Sequence, residues 1–318
     1  MIAYGPVPSR RLGRSLGINH IPPKTCTYSC VYCQLGRTTQ MRCERRKTYP
    51  LEEVVQAVEE RVERAHERGK VIDYLTFVPD GEPTMDLNLG REMELLRPLG
   101  IKIAVISNGS LLWREDVRRE LTGADWVSLK VDAVTDEVWR KVDRPHGRLR
   151  LKAILDGMRA FREAFRGELT TETMLVKGVN DSDDEIPRIA DFLEELGPDK
   201  AYLAVPTRPP AEDWVEPPDE ETLNRAYQSF ANRLSDVEYL IGYEGDAFAF
   251  TGNFEEDLLS ITSVHPMRED AVETLLKRAE ADWTSVDHLI KEGRLIQLDY
   301  LERKYYMRRI RSRAGSRP

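Results

Sequence analysis

Cys26-Thr27-Tyr28-Ser29-Cys30-Val31-Tyr32-Cys33 places three thiols in eight residues, spaced C-x3-C-x2-C. Cysteine thiolates are the usual holders of iron–sulfur clusters, and a four-iron cluster has four iron corners. Three clustered cysteines therefore suggest a cluster held at three corners, with one iron open. An open metal position marks a catalytic site rather than a closed structural one. The alternative is a zinc site with Cys43 as fourth ligand, because structural zinc takes four N or S ligands. Zinc sites more often pair C-x2-C knuckles, and this chain has no second pair.

The chain must position that loop, and its length of 318 residues suffices for one large domain with an appendage or for two ordinary domains. Helical and strand periodicities alternate. Strands are expected at Leu16–Ile21, Val71–Val78, Ile101–Ile106, Trp126–Val131, Leu169–Val176 and Ala201–Val205. Helices are expected at 51–65 and at about 88–98, 114–121, 148–165, 184–196 and 219–234. Six strands alternating with helices imply parallel βαβ units, and closing them only in part gives a TIM-like partial (β/α)6 barrel. Parallel barrels keep their chemistry on loops at the C-terminal ends of strands.

Polar motifs fall at such ends. Strand two runs into Pro79-Asp80-Gly81-Glu82-Pro83-Thr84, where a glycine lets a ligand approach the backbone and a carboxylate can accept from an ammonium group. Strand three ends in Ser107-Asn108-Gly109-Ser110, itself a turn signal. In strand four Ser128, Lys130 and Asp132 alternate with Val127, Leu129 and Val131, so the polar trio shares one face. Buried charges need partners, supplied by a ligand or by a Lys130–Asp132 ion pair. Strand five leads to Asn180-Asp181-Ser182, where Ser182 can cap the next helix. Arg208 follows strand six in a proline-fixed loop at the barrel mouth.

Taken in order, these motifs resemble the radical S-adenosylmethionine (radical SAM) superfamily over residues 1 to about 240. The opening Gly5–Ser15, the cysteine loop and the Val205–Ala211 segment are similar to an Fe–S oxidoreductase subgroup that includes the wyosine-forming tRNA enzymes. The resemblance implies a [4Fe–4S] cluster on Cys26, Cys30 and Cys33. It also implies chelation of the open iron by the amino and carboxylate groups of SAM, and reductive cleavage to methionine and a 5′-deoxyadenosyl radical. Gly81 and Glu82 match the family's Gly-Gly-Glu motif for the SAM amino group, with Asp80 in place of the first glycine. Tyr32, Ser107, Asn108, Ser128, Lys130 and Asp132 are the further cofactor-binding candidates. No flavodoxin-like module is visible, so a separate flavodoxin- or ferredoxin-like electron donor is expected.

The substrate is less legible. Net charge is −8, yet residues 1–50 carry nine Lys/Arg against the single acid Glu44, and residues 303–318 carry seven with no acid. Such asymmetry points to an anionic partner near both ends, or to a solvated tail at 311–318. Arg10, Arg11, Arg14 and Arg208 are the substrate-binding candidates, because the guanidinium fork suits phosphate and carboxylate. Beyond about Phe254 the pattern becomes helix, helix and a hairpin, Arg294–Tyr300 with Tyr305–Ile310. That is a truncated winged helix whose basic wing would lie against phosphates. The expected division is a barrel over 1–250 and a winged-helix-like module over 251–318. The leading expectation is a tRNA or other nucleic acid substrate. A protein- or peptide-modifying or glycyl-radical-activating enzyme is the alternative, and a non-enzymatic metal-binding winged-helix regulator the third. Four cysteines without a disulfide framework, no membrane-length apolar run and no signal peptide at Met1–Pro6 lead us to expect a reducing cytoplasm.

Overall fold

The computed structural model describes residues 1–240, 253–264, 266–300 and 302–309. Its main sheet has eight strands, built from β1 (Ala3–Ser9), β2 (Gly13–Ile18), β5 (Tyr74–Phe77), β6 (Lys102–Ser107), β7 (Trp126–Lys130), β8 (Glu168–Met174), β9 (Lys200–Ala204) and β10 (Val237–Leu240) in that spatial order. A short parallel pair, β3 (Thr25–Cys26) and β4 (Gln40–Met41), lies within the cysteine loop. All neighbours from β2 to β10 run parallel, and only β1 lies antiparallel, against β2. Among the described residues the two outer strands β1 and β10 do not pair, which leaves the sheet open there, as a partial barrel requires.

The six expected strands are β2 and β5–β9. The structure adds β1 and β10, one at each edge. β1 reads as a turn because it contains Gly5, Pro6 and Pro8, but proline is tolerated at a sheet edge, and the register shifts between Tyr4 and Val7.

Helices α1 (Leu51–Glu67), α2 (Leu89–Leu96), α3 (Glu115–Leu121), α5 (Leu151–Ala164), α6 (Glu185–Leu196) and α7 (Glu220–Ala231) follow the expected pattern. On α1 the buried stripe is Val54, Val58, Val62 and Ala65, the i, i+4 spacing that aims one face at the sheet. One helix among those flanking the main sheet was not expected, α4 (Asp136–Val142), which is too short to show a period. It buries Trp139, whose indole N–H donates to the Tyr28 hydroxyl at 3.1 Å and so braces the cysteine loop.

The C-terminal part has its own apolar core, formed by Leu258, Val272, Leu275, Leu276, Val286, Leu289 and their neighbours. Its elements are α8 (Phe254–Val264), β11 (Met267–Arg268), α9 (Glu269–Ala279), α10 (Trp283–Lys291), β12 (Leu295–Tyr300) and β13 (Arg303–Arg308), with sheet order β11-β13-β12. The module is therefore fuller than the truncated winged helix expected, with a first helix and a first strand added. β13 starts at Arg303, two residues earlier than expected, and all described pairs in its sheet are antiparallel. Val7 of β1 packs on this second core, and Arg61 of α1 lies 4.0 Å from Asp257 of α8. The expected boundary at residue 250, Ile310 and the tail 311–318 lie outside the described residues.

Candidate active site

The cysteine loop leaves β2 and is pinned at the C-terminal ends of the strands by backbone bonds. Ser29 N donates to Asp143 O at 3.0 Å, Val31 N to Val142 O at 2.9 Å, and His146 N to Thr27 O at 2.8 Å. The three thiols face one cavity of about 330 Å³, which Tyr32, Gly81, Glu82, Ser107, Asn108 and Lys130 also line. Cys43 is buried in the apolar core and does not line that cavity, so the loop offers three sulfurs and not four. Burial raises all three thiols, Cys26 to about 12 with Glu82 adding to the effect. Cys30 Sγ donates to Asp143 Oδ1 at 3.2 Å.

Gly81 sets the approach of the second loop to the first. A Cβ there would lie 1.9 Å from Thr25 O, the residue before Cys26. The absence of a side chain lets Glu82 N donate to that same carbonyl at 3.2 Å. Glu82 is 1% exposed and heavily bonded. Its Oε1 accepts from Ser107 Oγ at 2.7 Å and from Thr84 N and Oγ1 at 3.0 and 2.6 Å, while Oε2 accepts from Asn108 N at 2.8 Å. Burial still raises its carboxyl, against those hydrogen bonds. Asn108 Nδ2 donates to Thr27 Oγ1 at 2.9 Å and reaches Cys26 Sγ at 3.5 Å. The three strand-end motifs thus form one bonded unit.

On the facing wall, Lys130 pairs with Glu172 of β8 at 2.5 Å, not with Asp132. Asp132 instead accepts from the Tyr32 hydroxyl and from Met174 N, the latter at 2.7 Å. Arg11 enters the sheet interior and also pairs with Glu172, its guanidinium 5.9 Å from the Trp126 ring and 6.0 Å from that of Tyr202. Burial pushes the Glu172 carboxyl up, but Lys130 and Arg11 outweigh it and bring it down to about 2. Among the substrate candidates, Arg10, Arg11 and Arg208 line the cavity. Arg14 does not; it forms an exposed pair with Asp73. Ser128 is buried on the strand face of Lys130 without lining the cavity.

Sequence reasoning missed Glu172, because β8 reads Glu168-Leu169-Thr170-Thr171-Glu172-Thr173, with threonines on both faces and no alternation like that of Lys130's strand to single it out. It also missed Asp143 and Gln34, neither of which stands in a motif.

The radical SAM superfamily profile matches residues 21–198. The chain belongs to the radical SAM superfamily. It is 48% identical over 314 residues to the UPF0026 protein MJ1312 of Methanocaldococcus jannaschii, covering 98% of this chain and 97% of that one. In fold it is similar to a radical SAM methyltransferase from Sphaerobacter thermophilus, with TM-score 0.57 and 19% identity over 71% of this chain and 66% of that chain. It is also similar to TYW1 with a lysine-pyruvate adduct bound, with TM-score 0.53 and 16% identity over 70% and 74%. As a radical SAM protein it is an enzyme, and the cofactors of its family are a [4Fe–4S] cluster and SAM.

The residues present fit that pair of cofactors. Among the described residues no three His, Cys, Asp or Glu side chains are placed to hold a single metal ion. The thiols instead share the wall of a cavity, which suits a cluster several atoms across better than one zinc. The gap at Gly81 that a Cβ would fill brings an acceptor carboxylate alongside.

Proposed function

We propose that Cys26, Cys30 and Cys33 hold the cluster, that Glu82 accepts from the SAM amino group, and that the enzyme modifies a nucleic acid, with tRNA the first candidate. When bound, the cluster supplies the electron that cleaves SAM reductively and so yields the 5′-deoxyadenosyl radical. The protein's own part is binding, orientation and exclusion of water. One observation carries the reading: three thiols, the Glu82 carboxylate and the Lys130 ammonium line the same cavity.

Ser107 and Asn108 orient Glu82, Lys130 brings an ammonium to the same cavity with Glu172 holding it in place, and Tyr32 lines the cavity while its hydroxyl donates to Asp132. Ser128 and Asp132 would act through Lys130 and Tyr32. An external reductant is required, and we propose a flavodoxin- or ferredoxin-like protein and a cytoplasmic setting.

The nucleic-acid reading draws on a basic band beside the cysteine loop. Arg37, Arg46, Lys47 and Arg148 are exposed there, and Arg42, half-buried next to Arg46, donates its backbone N–H to Cys26 O. Arg37 and Arg148 also form ion pairs, with Glu212 and Glu44. Phosphate contact would give log-linear salt dependence, with each lost contact lowering the slope by about 0.7–0.9. The test is anaerobic 5′-deoxyadenosine formation stimulated by RNA fractions, together with RNA binding across a salt series. Stimulation by protein fractions with salt-insensitive binding would replace this substrate with a peptide.

A further inference from the structure

The hairpin of the C-terminal module does not extend away from the barrel. The Tyr300 hydroxyl, at the end of β12, donates to Pro206 O at 3.0 Å, and the Tyr305 hydroxyl, on β13, donates to Thr207 O at 2.9 Å. Both acceptors belong to the loop leaving β9, and Pro206, Thr207 and Arg208 all line the cavity. Arg208 Nη1 in turn donates to Gln34 Oε1 at 3.0 Å, and Gln34 directly follows Cys33. The loop therefore spans from the hairpin to the cysteine segment.

Its chemistry explains why it needs an outside hold. Pro206, Pro209 and Pro210 carry no N–H, so the loop cannot build a ladder of its own, and its carbonyls must be satisfied elsewhere. The two phenols supply that satisfaction. Tyr305 is 4% exposed, its ring packs edge-on to Tyr300 at 6.3 Å, and burial raises both hydroxyls, Tyr300 to about 12, so both remain donors. Lys304, between them on the hairpin, pairs with Glu269 of the same module at 3.2 Å.

We propose that the hairpin works in cis, with Tyr300 and Tyr305 as positioning residues that fix the Pro206–Arg208 wall and thereby set how tightly the cavity closes on SAM. This rests on the SAM reading above and deepens it. It assigns the hairpin a task inside its own chain.

The test uses the full chain with Tyr300→Phe, Tyr305→Phe and the double variant, which keep the rings and remove only the hydroxyls. Tyr306→Phe is the control, because Tyr306 sits in the module's core and its hydroxyl faces Gln297, at 3.5 Å, and Glu269, both of the same module. Hydrogen exchange of the amides in 207–216 and acrylamide quenching of Trp214, which is half exposed on the same loop, report on the wall without any cofactor. The double variant should exchange about 10-fold faster there and raise KM for SAM about 3- to 10-fold, with kcat of uncoupled cleavage and iron content unchanged. Unchanged exchange in the double variant overturns the proposal. So does a fall of kcat, iron content and melting temperature together, or an equal effect of Tyr306→Phe. If the wild-type protein cleaves no SAM, the functional reading fails, and the exchange measurement alone decides whether the hairpin holds the loop.

Discussion

Replacing Gly81 with alanine tests how the cysteine loop and the Gly81-Glu82 loop are kept in register. The added Cβ would lie 1.9 Å from Thr25 O and 2.9 Å from its carbonyl carbon, and both are backbone atoms that cannot rotate away. Relief to an ordinary contact of about 3.5 Å requires the two loops to part by about 1.5 Å. That movement breaks the 3.2 Å bond from Glu82 N to Thr25 O and the bridge between residues 25 and 81. Forced overpacking costs about 1–3 kcal/mol and the lost hydrogen bond about 1 more, or about 2–4 kcal/mol in all. A domain stable by about 5–15 kcal/mol survives this, so the protein should stay folded. The damage falls on function, because Cys26 adjoins one displaced residue and Glu82 the other. Anaerobically reconstituted Gly81→Ala should melt several degrees lower and bind SAM at least about 10-fold more weakly, the effect of roughly 1.4 kcal/mol expressed at the site. Wild-type SAM affinity and iron content in that variant would refute the reasoning.

Three further outcomes are expected. Glu82→Gln should weaken SAM binding by about 1–3 kcal/mol, the scale of a charge-assisted hydrogen bond, and leave iron content intact; equilibrium dialysis of the loaded protein measures it, and unchanged affinity reduces Gly81-Glu82 to a turn. Glu172 is held at about 2 in the fold, below the usual carboxylate range, so its contribution of about 3 kcal/mol is complete above about pH 4.5 and is lost as the pH falls toward 2. Lys130→Met removes one of its two cations, weakens that contribution and should move the acid-unfolding midpoint upward in a circular-dichroism titration; an unmoved midpoint contradicts the pairing. Neutralising Arg46 and Lys47 together should lower the salt slope of RNA binding by about 1.4–1.8 if both meet phosphate, and an unchanged slope removes them from the interface.

Local features of this site were readable and long-range ones were not. The thiol spacing, the Gly81-Glu82 turn and the Asn108 turn each lie within a few residues, and the structure brings all three to one cavity. Of the six inner strands, β5–β9 were readable as apolar runs alternating with helices, and β2 as the apolar run that leads into the cysteine loop. The edge strands were not: β1 is interrupted by two prolines, and β10, no shorter than β5, has no helix or motif after it among the described residues until Phe254. Charge partners inside the sheet depend on which strands are neighbours. Lys130 therefore found Glu172, 42 residues away, where the sequence suggested Asp132 two residues on. Arg11 and Arg14 look alike in sequence, yet one enters the interior and the other pairs with Asp73 outside. The hold of Tyr300 on a loop 94 residues earlier leaves no local trace at all.

We propose above that three cysteines hold a four-iron cluster that cleaves SAM. The most direct test of that proposal counts iron and sulfide and measures dithionite-driven 5′-deoxyadenosine in anaerobically reconstituted wild type, Cys26→Ala, Cys30→Ala, Cys33→Ala and Cys43→Ala. We expect a full cluster and SAM cleavage in the wild type and in Cys43→Ala, with cleavage abolished in the other three. Loss of metal from Cys43→Ala as complete as from Cys30→Ala, or a loaded wild-type protein that leaves SAM intact, would contradict the account.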